Sequence, residues 1–243
     1  MFDKWTQYSY AAQKQQRYQL IKFIFIFIIL YVIYNCLTTF FFSVWTVENN
    51  TMRPGLNSGD RLLFSSFSPP AWLRNKNKID NNPFPFKRGN IVLIDSRRDK
   101  EQKWPLRLVD SVVRFFTAQR ASIFSSRGQY YIKRVIALPG DEISMNNYVF
   151  RVKAAGSSYS LTEFELSEKP YHPSIPKTSE LWDDSVPFSD RMDTIILGPG
   201  ECFVISDDRS NTNDSRTWGA ISSSLITAKA VLRFWPIFKI ELL

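Results

Sequence analysis

The chain has 243 residues, enough for one anchored domain of ordinary size and too few for two full ones. Hydrophobic residues make up 44% and aromatics 15%, so it can fill a core, which excludes broad disorder. The net charge of +8 suits nucleic acid or an anionic membrane surface, but no zinc-ligand cluster, RNP-like motif or long Lys/Arg run supports nucleic acid.

In chain order, the first element is an apolar run. Residues 23–47 (FIFIFIILYVIYNCLTTFFFSVWTV) carry no charge, and about 20 apolar residues cross a bilayer as a helix. The run is too long for a strand and for the core of a cleaved signal peptide, and Trp45 suits a membrane interface. The expectation is a cytoplasmic segment at 1–22 and an uncleaved anchor at 23–45. Lys4, Lys14, Arg17 and Lys22 against Asp3 keep the N-terminus in the cytoplasm and put residues 46–243 outside.

Beyond the anchor the signals are mainly of strands. Runs at 61–67, 90–95, 130–137, 148–152, 202–206 and 228–234 are rich in Val, Ile, Phe and Leu and are separated by Gly/Pro/Asn/Asp turns. This spacing predicts a mainly β, antiparallel domain. A helical insertion is expected at 96–128, where Leu106, Val109, Val113 and Phe116 fall at helical spacing. Its expected place is as a cap on the sheet, with a membrane-surface helix as the alternative, since Arg107, Arg114 and Arg120 fall on its polar side. Segments 68–88 and 154–193, each with several prolines, read as loops, the second as an inserted arm.

The candidate chemistry lies in four short pieces. Asn49-Asn50-Thr51-Met52-Arg53-Pro54-Gly55 follows the anchor, with a hydroxyl beside a Pro-Gly turn; its Asn-Asn-Thr also matches the glycosylation sequon. Lys87-Arg88-Gly89-Asn90-Ile91-Val92-Leu93-Ile94 is a strand led in by a turn. Tyr131-Ile132-Lys133-Arg134-Val135-Ile136-Ala137-Leu138-Pro139-Gly140-Asp141 sets a lysine in an apolar strand. Alternation sends Lys133 and Arg134 to opposite faces. A desolvated lysine can act as a general base, whereas an edge-strand lysine only guards against aggregation. Residues 206–219 (SDDRSNTNDSRTWG) crowd acids, arginines and hydroxyls into a loop that can brace a site. Cys36 and Cys202 make neither a plausible disulfide nor a metal cluster, and the single histidine, His172, reads as a loop residue.

In this order the four pieces resemble the type I signal peptidases, membrane-bound Ser/Lys proteases, from about Val44 to Ile240. The resemblance implies that Thr51 stands at the nucleophile and Lys133 is the general base. It implies that Asn49 helps bind the oxyanion with the Thr51 N–H, and that Thr212 hydrogen-bonds the lysine. Arg134 with Asp207, and Arg216 with Asp214, would brace the site. Met52, Pro54, Gly89, Asn90, Ile91, Val92 and Leu93 would contact substrate, the strand at 89–94 accepting it as an added strand.

The implied partners are preprotein signal peptides cut after a small-x-small motif, membrane lipids and the secretion machinery. No metal or organic cofactor is implied, and the place would be a bacterial inner membrane. Thr51 replaces the usual serine, Ser206 a common glycine, Asp208 a common asparagine and Asn90 a common aspartate, while Gly55 sits where threonine is usual. These departures leave an inactive or divergent anchored binder of signal peptides as the alternative.

Overall fold

The computed structural model describes residues 10–66, 86–95, 109, 112–113, 115–117, 130–176 and 190–243. It divides into a helical unit, Met1–Phe40 with Gln102–Ser125, and a β unit, Phe41–Glu101 with Ser126–Leu243. Most of the loop expected at 68–88 lies outside the described residues, as do 96–108 and 118–129 of the insertion and 177–189 of the arm.

The helical unit is built on α1 (Tyr10–Phe40), which is long and apolar enough to cross a membrane. The helix stops at Phe40, short of the expected end at 45, and β1 (Phe42–Thr46) begins two residues later. Trp45 is therefore a strand residue, stacked on Tyr130 with ring centroids 4.2 Å apart. The apolar run hides this boundary because strand and helix are equally hydrophobic there. The described residues of the insertion are 109, 112–113 and 115–117. They belong to the helical unit, where Phe115 sits edge-on to Phe27, Tyr31 and Tyr34 at 6.2, 5.2 and 5.0 Å.

The β unit is antiparallel throughout its named strands. β2 (Arg61–Ser66), β3 (Ile91–Asp95), β4 (Tyr130–Ala137), β9 (Glu201–Ile205), β10 (Ile221–Ser222) and β11 (Ile226–Trp235) join β1 in the order β1-β2-β11-β3-β4-β9-β10. A short β12 (Glu241–Leu242) pairs with β11. The second sheet runs β7-β6-β5-β8, from β5 (Glu142–Asn146), β6 (Val149–Lys153), β7 (Leu161–Thr162) and β8 (Met192–Ile196).

Strands β1, β5 and β8 escape the sequence reading, whereas the other long strands fall within two residues of their expected bounds. β3 is flanked on both sides, so four of its five residues are buried, as its unbroken Ile-Val-Leu-Ile run requires. One core cluster packs Met52, Leu56, Phe64 and Leu93 together; a second packs Phe86, Val92, Val135 and Val204. A third joins the two sheets through Ile136, Ile143, Phe150 and Phe203.

Candidate active site

Thr51 lies in the loop between β1 and β2, and the loop is fixed from both sides. Met52 and Leu56 sink into the first core cluster, and Leu56 N–H donates to the Met52 carbonyl at 2.8 Å. Arg233 on β11 donates to the Gly55 carbonyl at 2.7 Å and pairs with Asp60 at 3.4 Å. Thr51 itself is buried. Its carbonyl accepts from Asp208 N–H at 3.0 Å, which ties the loop to the segment that follows β9.

Lys133 sits midway along β4 and is 1% exposed. Burial pulls its amine down to about pH 8 from an ordinary 10.5; Asp214 works against that shift and Arg216 with it. The amine donates to Ser206 Oγ at 2.7 Å and lies 5.7 Å from the centre of the Trp218 ring. Ser206 is the first residue past β9, and its N–H donates to Asp214 Oδ2 at 3.0 Å.

Here the structure corrects an expectation: the hydroxyl that meets Lys133 is that of Ser206, not Thr212. Thr212 contributes its carbonyl, which accepts from Thr217 Oγ1 at 2.6 Å and from Asp214 N–H at 2.8 Å. The signal was present in the sequence as a departure, a hydroxyl where glycine is common, and its consequence shows only once the chain turns off the sheet beside β4.

Asp214 caps the short helix α3 (Ser215–Trp218) and takes bonds from Arg216 Nε at 3.0 Å and Nη2 at 2.9 Å. Burial alone would raise its pKa, yet these bonds and the Ser206 N–H hold the carboxyl below its usual range. Arg134, on the opposite face of β4, grips Asp207 in a bidentate pair at 2.7 and 2.6 Å, donates to the Gly89 carbonyl at 2.6 Å and stacks 3.9 Å over Tyr171.

The expected arm proves to be a brace where it is described. α2 (Glu163–Leu166) opens with a capping box, Thr162 with Glu165, a signal legible in the sequence. Glu163 is 3% exposed and accepts from Arg209 Nη2 at 2.6 Å, from Phe150 N–H at 3.2 Å and from Tyr171 Oη. Ser174 exchanges backbone bonds with Asp207 and Arg209, each at 2.9 Å.

The substrate-contact expectations divide. Met52, Val92 and Leu93 are core residues. Pro54, Gly89, Asn90 and Ile91 line a concavity of about 320 Å³ with Arg134 and Tyr171, and neither Thr51 nor Lys133 borders it. β3 cannot take an added strand, because β11 and β4 already flank it. The edges near Lys133 are elsewhere. β1 ends the sheet, and β9 pairs with β4 only from Arg134 onward, so among the described residues no strand lies against Ile132 and Lys133 opposite β3.

Asn49 Oδ1 accepts from Thr51 Oγ1 at 2.8 Å and lies 3.4 Å from Thr51 N. It therefore occupies the space in front of the Thr51 N–H.

The signal peptidase model of peptidase family S26 matches residues 17–235. The chain belongs to the S26 signal peptidases. It is 24% identical over 204 residues to signal peptidase I of Bacillus caldolyticus, covering 82% of this chain and 83% of that protein. Signal peptidase IB of Staphylococcus aureus is 22% identical over 218 residues, 90% of this chain and 91% of its own. A probable signal peptidase I-1 of Synechocystis is 32% identical over a shorter stretch of 110 residues, 45% of this chain and 44% of that protein.

Proposed function

We infer that this protein is a signal peptidase I that cleaves preproteins after a small-x-small segment, with Thr51 as nucleophile and Lys133 as general base. The observation that carries the reading is that both groups are tied to the same three residues. Lys133 bonds to the Ser206 hydroxyl and the Thr51 carbonyl to the Asp208 N–H. A buried amine lowered to about 8 is neutral in part at neutral pH, as a base must be.

The chemistry is acyl transfer. Neutral Lys133 takes the Thr51 hydroxyl proton as Oγ1 bonds to the scissile carbonyl carbon. The Lys133 ammonium then protonates the departing amine as the peptide C–N bond breaks, leaving an ester on Thr51. A water, deprotonated by Lys133, attacks the ester, and the Lys133 ammonium returns that proton to Thr51 Oγ1 as the C–O bond breaks and the signal peptide leaves with a free carboxylate. The Thr51 N–H and a rotated Asn49 amide stabilise the oxyanion in both steps.

The substrate enters as an extended segment between the β1 edge and Ile132–Lys133 of β4, whose strands are bridged by the Trp45–Tyr130 ring contact. α1 anchors the enzyme in a bacterial inner membrane with the N-terminus in the cytoplasm, the orientation favoured by Lys14, Arg17 and Lys22.

One observation favours a second reading, a binder that does not cut: Thr51 Oγ1 bonds to Asn49 and Lys133 Nζ to Ser206, with no hydrogen bond between Thr51 and Lys133. Cleavage of a preprotein with an Ala-x-Ala site by wild type, Thr51→Ser and Thr51→Ala decides. Product from the first two alone establishes the Thr/Lys peptidase. Product from Thr51→Ser alone establishes the binder, with the threonine methyl blocking attack.

A further inference from the structure

The helical segment at residues 109–117, inserted between β3 and β4, has a partner of unusual placement. Phe115 packs on Phe27, Tyr31 and Tyr34, all inside the charge-free run of α1. That run starts at Phe23, so at a rise of about 1.5 Å per residue the contact lies roughly 6 to 17 Å into the hydrocarbon layer if α1 crosses it. A side chain cannot reach that depth from outside without its own segment entering the bilayer.

Three further observations agree. Phe116 is 70% exposed, and Val109 and Val112 are 47% and 41% exposed, so the segment presents apolar side chains to its surroundings while its neighbour Phe115 is covered. At 100° per residue, Val109, Val112, Val113 and Phe116 share one face. Thr117, which would otherwise bring an unsatisfied hydroxyl into lipid, donates Oγ1 to the Val113 carbonyl at 2.7 Å, and its N–H bonds to the same oxygen at 2.9 Å.

We propose that this insertion re-enters the lipid bilayer beside α1, docked through Phe115, with Phe116 and the valine face against the acyl chains. The enzyme then holds the membrane by two elements. The proposal rests on α1 crossing the bilayer and is independent of whether Thr51 cuts.

The test uses the full chain in liposomes of phosphatidylethanolamine and phosphatidylglycerol. Cys36→Ala removes one thiol, and Cys202 is fully buried, so label on the Cys36→Ala protein alone gives the background. A nitroxide is placed at Phe116→Cys, at Ile28→Cys on α1 and at the exposed Tyr159→Cys of the β unit. Collision rates with oxygen and with a neutral nickel chelate are then compared. The expected result is an oxygen-to-nickel ratio at 116 close to that at 28 and several-fold above that at 159. A ratio at 116 equal to that at 159, with 28 in hydrocarbon, overturns the proposal. A water-like ratio at 28 overturns it as well, by removing its premise. In parallel, Phe115→Ala should lower the oxygen-to-nickel ratio at 116 toward that at 159, and an unchanged ratio refutes docking through Phe115.

Discussion

Lys133 Nζ and Ser206 Oγ, 73 residues apart in sequence, lie 2.7 Å apart with both residues fully buried. Ser206 leaves the sheet at the point where β9 stops pairing with β4, so one turn both opens the strand edge beside Lys133 and delivers the hydroxyl that orients its amine. The Ser206 N–H on Asp214, itself clamped by Arg216, fixes that turn.

Ser206→Ala should therefore lower kcat on the order of 100-fold while leaving KM nearly unchanged, because a misaimed base loses the near-attack geometry and not the substrate. Thr212→Ala should change kcat little. Steady-state cleavage of an Ala-x-Ala preprotein measures both. A neutral Ser206→Ala beside an inactive Thr212→Ala would hand the role back to Thr212.

The pH dependence has a definite sign. In the proposed mechanism neutral Lys133 is the base, so kcat/KM should rise with pH through a limb near 8, the position set by burial of the amine. The same group biases stability. The folded state releases the proton near 8 and the unfolded chain near 10.5, so the unfolded state binds more protons between them and stability rises with pH across that window. Lys133→Met, which removes the buried cation, should abolish cleavage yet raise stability at pH 7 by about 3 kcal/mol at most. A variant less stable than wild type at pH 7 would show that the amine is not held at a cost.

How far the sequence discloses this site depends on which interactions are local. β4 is readable because its β-branched run is bounded by a Pro-Gly-Asp turn, and the odd residue in it, Lys133, is visible for the same reason. The neighbours of β3 are not readable, since pairing with β11 joins residues more than 130 positions apart and alternation carries no information about partners; the expectation of an added strand on β3 fails there. β1 is masked by the anchor, whose apolar run continues through it. The prolines of the arm suggest a loose loop, while the buried acid at its start, Glu163, becomes intelligible only when Arg209 and Tyr171 are seen beside it.

That acid yields a stability prediction. Glu163 and Arg209 have side chains 1% and 0% exposed, and Tyr171, its pKa raised by burial and by Glu163, stays protonated to donate. Glu163→Ala strands a buried guanidinium and should cost about 3–5 kcal/mol. Glu142→Ala, which breaks the half-exposed pair with Lys153 at 3.4 Å, should cost about 1 kcal/mol or less. Denaturant midpoints in detergent compare them, and equal losses would mean that the arm does not brace the loop at 206–209.

The final prediction concerns the turn into β3. Gly89 has φ +84°, and a Cβ there would stand 2.2 Å from Ser167 Oγ and 2.9 Å from Ser167 Cβ. Its carbonyl also receives Arg134 Nη1, so displacing this backbone pulls on the Arg134–Asp207 pair. Gly89→Ala should destabilise by about 2–4 kcal/mol, the sum of a left-handed backbone that alanine disfavours and an overpacked contact. Adding Ser167→Gly removes both of those atoms but leaves a tight 3.1 Å approach to the Cα of residue 167 and the backbone cost, so the double variant should recover only part of the loss. Thermal unfolding of the three proteins separates the contributions. If Ser167→Gly rescues nothing, the strain lies in the backbone; if Gly89→Ala is as stable as wild type, the arm does not press on this turn at all.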